Sequence, residues 1–417
     1  MDRRFTRFFT TFLLTGTVLT GCTNTQEVNT VQEENTSKET IALTVWGSEA
    51  DQQLLNDLVT SFEEKHSDTV NLDITVGIQE ELEVKKAILD SVHEAPDVFT
   101  FADDQLLSLA SAGVLSPIEY AEEVRANNVE SAVTASIIED EVYAYPLTAD
   151  NGYFLYYNSE YLTAEDVQTL DNILDIAKTN NKKISMDITS GWYLYSFFGN
   201  TGLTVGLNPD NITNYCTWNS TDGAIHGVDV MESLDKLVKH KGFAPYGDDA
   251  FVKGISNGEV IAGVSGVWLE ETIKQALGDN FEVAKLPTYT VNGGQVQMAS
   301  FTGHKMVGVN AYSDNKEWAE ELANFITNEE NQIKRFEERK QLPSNINAAN
   351  HGDISKSKVY KALNEQSKYA KLQKIGNRYW APTTELVNQL IRGEANEGTY
   401  QELLDKAVKE ITSDIVD

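Results

Sequence analysis

Residues 142–158 read Val-Tyr-Ala-Tyr-Pro-Leu-Thr-Ala-Asp-Asn-Gly-Tyr-Phe-Leu-Tyr-Tyr-Asn. Two short aromatic-rich apolar runs flank a small, polar centre at 148–152, the pattern of two strands joined by a loop. That centre offers a carboxylate at Asp150, a carboxamide at Asn151, a flexible Gly152 and a nearby Tyr153. Carboxylates and carboxamides supply paired acceptors and donors at fixed spacing, which suits ligands rich in hydroxyl groups.

Upstream of this stretch, periodicity predicts strand, helix, strand, helix, strand. The runs 41–46, 70–76 and 97–101 read as strands; Leu54, Leu55, Leu58, Val59 and Phe62 recur at helical spacing, and 80–92 reads as a second helix. Alternation of this kind implies a parallel sheet with crossover helices, and ligands of such sheets sit beyond the carboxyl ends of the strands. Trp46 closes the first strand there, Asp51 lies in the polar start of the first helix, and Asp103-Asp104 follow the third strand. Taken alone, an Asp at that place reads as a helix cap.

Downstream, 160–180 is helical and a strand at 183–187 leads into Gly191-Trp192-Tyr193-Leu194-Tyr195. Aromatics bunched at a strand-to-helix turn are more often core than ligand platform. Within 257–268 a second buried strand ends in small residues, and Trp268 then opens a helix. Glycine lets backbone approach a ligand, and tryptophan offers a broad flat face. Trp318 is expected in a core, Trp218 receives no role, and Tyr379 and Trp380 stand beside the start of a late helix.

Composition excludes several classes. Against 33 Lys+Arg stand 64 Asp+Glu, a net charge of −31, which disfavours nucleic acid or an anionic bilayer as direct partner. Two cysteines, Cys22 and Cys216, rule out a disulfide scaffold. The six histidines are scattered without metal-ligand spacing, and no phosphate-binding loop, nucleophile elbow or calcium loop occurs, so no metal or cofactor is expected. At the N-terminus Arg3, Arg4 and Arg7 precede an apolar run, 8–19, too short to span a bilayer comfortably, and Leu19-Thr20-Gly21-Cys22 follows. Those four residues resemble the bacterial lipobox, whose cysteine is lipidated after cleavage. Residues 1–21 are thus expected to be a lipoprotein signal peptide and 22–40 a solvated tether.

The order of these segments resembles the extracellular solute-binding proteins of sugar ABC importers, of the maltose/maltodextrin-binding type. The resemblance rests on 142–158, on Pro96-Asp97-Val98-Phe99-Thr100-Phe101-Ala102-Asp103-Asp104, on 257–268, on Gln341-Leu342-Pro343-Ser344-Asn345 and on Gly376-Asn377-Arg378-Tyr379-Trp380-Ala381-Pro382. The chain has Phe101 and Gln105 where the best-known member has Trp and Arg. What the resemblance implies is an α/β fold of two lobes, each a mostly parallel sheet flanked by helices, with the ligand cleft between them. One lobe is expected to comprise 41–148 plus 288–342, the other 149–287 plus 343–417. It implies no catalysis, but binding of a maltose- or maltodextrin-type oligosaccharide by Trp46, Asp51, Asp104, Asp150, Asn151, Trp192, Tyr193, Trp268, Tyr379 and Trp380. Delivery to the permease subunits of an ABC transporter follows, from a protein held by lipid on Cys22 at the outer face of the cell membrane. Two alternatives share an aromatic cleft: a surface glycoside hydrolase or transglycosylase using Asp104 and Asp150 as its carboxylate pair, and a carbohydrate-binding adhesin or sensor lipoprotein.

Overall fold

Two separate sheets organise the chain from Glu39 onward. The computed structural model describes residues 38–414 apart from 82 and 211, so the signal peptide, Cys22 and the expected tether up to 37 lie outside the described residues, while Thr40, expected to end the tether, already opens the first strand. The first sheet has the order Asn71–Ile78, Thr40–Gly47, Val98–Ala102, Lys305–Val309, Tyr145–Pro146. Its first three strands are parallel, as the alternation of strands and helices implies, and Lys305–Val309 runs against both neighbours. Helix Gln52–His66 covers it with Leu54, Leu55, Leu58, Val59 and Phe62, the apolar face expected from their spacing. Helix Val84–Asp90 is shorter than expected; Val84 and Ile88 are buried while Leu89 faces solvent.

The second sheet runs Phe243–Ala244, Lys183–Ser185, Val260–Gly266, Asn151–Asn158, Ser300–Gly303, Ala370–Leu372, with Phe281–Ala284 also paired to Asn151–Asn158. Again the first three strands are parallel. Asn151–Asn158 is antiparallel to each of its partners. Antiparallel pairing in both sheets is therefore confined to strands at or beside the places where the chain changes sheet. The larger core lies here, with Trp218 fully buried and stacked 3.8 Å from Phe198. Trp318 is half-buried on the first body, its ring edge-on to Phe62.

Strand pairing locates the changes of sheet. The chain leaves the first sheet after Tyr145–Pro146 and enters the second at Asn151. It returns between Ser300–Gly303 and Lys305–Val309, at His304, rather than near 287. The reason is the hairpin Thr288–Val291 with Gly294–Gln297, whose Tyr289 and Val291 fill the larger core. Pro287 marks the approach to this hairpin, which the proline alone does not distinguish from a crossing.

Candidate functional site

Three passages lie side by side and are laced together by hydrogen bonds. Leu147 N–H donates to the Lys305 carbonyl at 2.8 Å, and Ala149 N–H to the Leu342 carbonyl at 2.9 Å. Thr148 and Pro343 form a β-bridge. The Asp150 side chain closes the set by accepting the Leu342 N–H at 3.1 Å, and the His304 ring nitrogen Nδ1 lies 3.2 Å from the Thr148 carbonyl. Asp150 and His304 are both buried. Burial raises the Asp150 carboxyl above its ordinary range and holds the His304 imidazole down at about 4.

Beyond the carboxyl ends of the second sheet's parallel strands, aromatic and acidic side chains gather. Gly266 ends one strand, and the carbonyl there accepts the buried Tyr156 hydroxyl at 2.7 Å. The next residues make a single tight turn carrying Trp268, which is 48% exposed. Its ring presses on Gly266, where any Cβ would fall 2.0 Å from Cζ3, so glycine is required for the ring to lie there. The indole N–H donates to Asp248 Oδ2 at 2.7 Å, and Ser265 donates to Asp248 Oδ1 at 2.8 Å. Tyr193 is buried, with its ring 4.9 Å from Tyr153. Trp192 is half-buried, edge-on to Tyr153 at 5.5 Å and nearly parallel to Phe301.

Tyr379 and Trp380 divide the work expected of them. Tyr379 is fully buried, and its hydroxyl donates to the Gly191 carbonyl at 2.8 Å, so it braces the turn that carries Trp192. Trp380 stays half-buried, edge-on to Tyr379, with its ring 3.3 Å from where a Cβ on Gly191 would be. Trp192 and Trp380 are thus brought to the same turn, while Trp268 is held by Asp248, which also takes the Ser265 hydroxyl.

On the first sheet, Trp46 is half-buried with its ring across Gly77, where a Cβ would meet Cδ1 at 2.7 Å. Asp104, exposed, follows the neighbouring strand Val98–Ala102, yet is walled enough that desolvation raises its carboxyl. Asp103 is pushed up to about 7 by burial and by the Asp104 charge, against the His304 N–H that donates to its Oδ2 at 3.1 Å. Gln105 is buried and structural: its amide donates to the Glu81 carbonyl at 2.6 Å and its oxygen accepts the Lys85 N–H at 3.0 Å. Asn151 begins its strand with its amide against Gly303, which pairs with it across the ladder.

Asp51 stands elsewhere. Arg335 donates to one of its oxygens at 2.6 Å and Arg339 to the other at 3.0 Å, in a setting where Asp51 and Arg335 are both 1% exposed. Burial is the largest influence and opposes its ionisation, but the charges of Arg335 and Lys305 and the hydrogen bonds from Arg335 and Arg339 together outweigh it and hold the carboxyl below its usual range. Its two oxygens tie the start of helix Gln52–His66 to helix Glu329–Arg339.

A cavity of about 640 Å³ is lined from both sides, by Lys85, Asp104, Leu107 and Ile138 of the first body and by Ile212, Lys374, Asn377 and Arg378 of the second. Sequence reasoning passed over Asp248 and these basic side chains. Asp248 opens helix Asp248–Ser256 and looks like an ordinary first-turn acid; the available signal is that it follows Phe243–Ala244, a strand parallel to Lys183–Ser185. Among the described residues no three His, Cys, Asp or Glu side chains gather as a metal site, and no helix is long and apolar enough to cross a membrane.

Residues 57–362 match the family model described as bacterial extracellular solute-binding protein. The galactooligosaccharide-binding protein of Bacillus subtilis (strain 168) is 25% identical over 391 residues, covering 88% of each chain. Among solved structures, the maltodextrin-binding protein MalE1 of L. casei BL23, without ligand, superposes with a TM-score of 0.80 at 26% identity, covering 90% of this chain and all of that one. The maltose-binding MalE of Listeria monocytogenes in complex with maltose gives 0.74 at 22% identity over 89% and 97% of the two chains, a likeness of fold.

Proposed function

Because the chain belongs to the bacterial extracellular solute-binding proteins, exported binding proteins and not enzymes, we propose that it captures a neutral hexose oligosaccharide for an ABC importer. The observation that carries this reading is the group of partly open tryptophans, Trp192, Trp268 and Trp380, at the carboxyl ends of the second sheet. A sugar ring offers an aromatic face its C–H side and the surrounding acids its hydroxyls. Trp46, Asp104 and Asn151 would meet the same ligand from the first sheet and the passages. Asp51, Asp150, Tyr193 and Tyr379 hold the framework from behind. The relatives point to two sugar classes: the protein of L. casei BL23 is a maltodextrin binder and that of Bacillus subtilis a galactooligosaccharide binder. Maltodextrin is the first choice, since the aromatic positions follow the order of that type.

Titration calorimetry with maltose, maltotriose, maltotetraose and β-1,4-galactotriose tests the reading. Binding of a maltodextrin supports it; binding of the galactoside alone transfers it to the other class, and no binding by any of the four overturns it. Anchoring by lipid on Cys22 belongs to the same proposal. Cys22→Ala protein should be released into the medium, since with a charge of −31 nothing in the chain favours retention by an anionic surface. Retention at the membrane in spite of the substitution would refute the anchor.

A further inference from the structure

We propose that Asp248 is the residue that positions the Trp268 ring for its ligand, acting through the indole N–H and not by touching the sugar. This rests on the reading of Trp268 as a binding platform. A tryptophan that is 48% exposed has little packing to select one rotamer. Ordering such a side chain on binding costs affinity, and a ring already fixed avoids that cost. Trp268 is fixed at two points. The six-membered ring rests on the Gly266 backbone, and Nε1 donates to Asp248 Oδ2 at 2.7 Å. The carboxylate is itself held: its Oδ1 takes the hydroxyl of the fully buried Ser265 at 2.8 Å. Ser265 and Gly266 pair with Phe154 and Tyr153, so the chain of contacts is seated on the central strand of the sheet. A hydrogen bond to an ionised acceptor is stronger than one between neutral groups, which suits the carboxylate to holding an exposed ring.

Two measurements separate this inference from the reading beneath it. The first needs no ligand. The fluorescence due to Trp268 is taken as the difference between a protein and its Trp268→Phe counterpart, and its quenching by acrylamide is measured. Asp248→Ala should raise that quenching about twofold and lower the anisotropy, because the released indole samples further rotamers. Asp248→Asn, which keeps the helix start and one acceptor, should give a smaller rise. Unchanged quenching in both variants overturns the inference whether or not any sugar binds.

The second uses maltotriose and β-1,4-galactotriose as probes. Asp248→Ala should weaken whichever binds by about tenfold, and the loss should disappear in a Trp268→Ala background. An equal loss in both backgrounds would mean that Asp248 meets the sugar directly, and would overturn the inference. A loss within twofold for Asp248→Ala in the otherwise unaltered protein, with Trp268→Ala itself strongly weakened, also overturns it while leaving the platform intact. Should Trp268→Ala bind as well as the parent, the platform reading fails instead, and the quenching result alone decides whether Asp248 holds the ring.

Discussion

At the scale of single residues, tryptophans with different surroundings should behave differently on truncation. Trp268→Ala should weaken oligosaccharide binding by about 2 kcal/mol, roughly thirtyfold, as expected of an aromatic anchor. Because Trp268 is 48% exposed, the unfolding midpoint of the free protein should hardly move. Trp218, fully buried against Phe198, is the matched opposite. Trp218→Ala should cost about 3–5 kcal/mol of stability while the folded fraction binds normally; identical behaviour of the two would abolish the distinction. Asp103 and His304 make a second residue-level case. Asp103, raised to about 7 from 3.8, keeps its proton in the fold where the unfolded chain has lost it, so its contribution falls as pH rises from 3.8 to 7. His304, lowered to about 4 from 6.5, does the reverse, and its contribution falls as pH drops from 6.5 to 4. Each slope is at most about 1.4 kcal/mol per pH unit, and between pH 4 and 6.5 they cancel. Asp103→Asn should uncover the histidine: urea unfolding should show the variant gaining on the parent as pH rises from 4 to 7. Parallel curves would mean that Asp103 titrates normally.

At the scale of elements, the buried pair Asp51–Arg335 joins two helices distant in sequence. Arg335→Met leaves Asp51 with Arg339 alone, which is partly exposed, and should lower stability by about 3 kcal/mol. Replacing both partners, Asp51→Leu with Arg335→Met, should recover much of that loss, because no buried charge is then left unpaired. A double variant no more stable than the single one would assign the loss to packing. Elements like helix Gln52–His66 were legible in the sequence because one periodic face is both local and apolar. The parallel run of the first sheet was legible for a related reason, since alternation of strand and helix leaves few topologies, whereas that of the second was implied only by the resemblance. Asp51 was placed among ligand contacts because its partners lie almost three hundred residues away, and no local pattern announces an arginine at that distance. Asp248 was missed from the opposite cause: its local pattern is that of an ordinary helix start. The passage at His304 was displaced to 287 because a hairpin that fills a core carries the same proline and β-branched signals as a crossing.

For the whole molecule, three short passages join the two sheets; on the proposal that they act as a hinge, a ligand that touches both sides should stabilise the closed arrangement. Small-angle scattering with saturating maltotriose should show a slightly smaller radius of gyration than the free protein. An unchanged radius with bound sugar would remove closure and leave binding untouched. The same passages have a consequence for the order in which the molecule is made. Val309 pairs with Val98, and Lys305–Val309 lies between Val98–Ala102 and Tyr145–Pro146. The fourth of the five strands of the first sheet is therefore synthesised about 200 residues after the strand it joins, a separation that slows folding. Until it arrives, the first sheet lacks the strand that links its parallel part to its edge, and Asp150 lacks the Leu342 N–H. Neither sheet can be finished from the first two-thirds of the chain. For a protein that must leave the cell, a fold that stays open until its last third has been made lengthens the interval in which the chain can still be threaded outward.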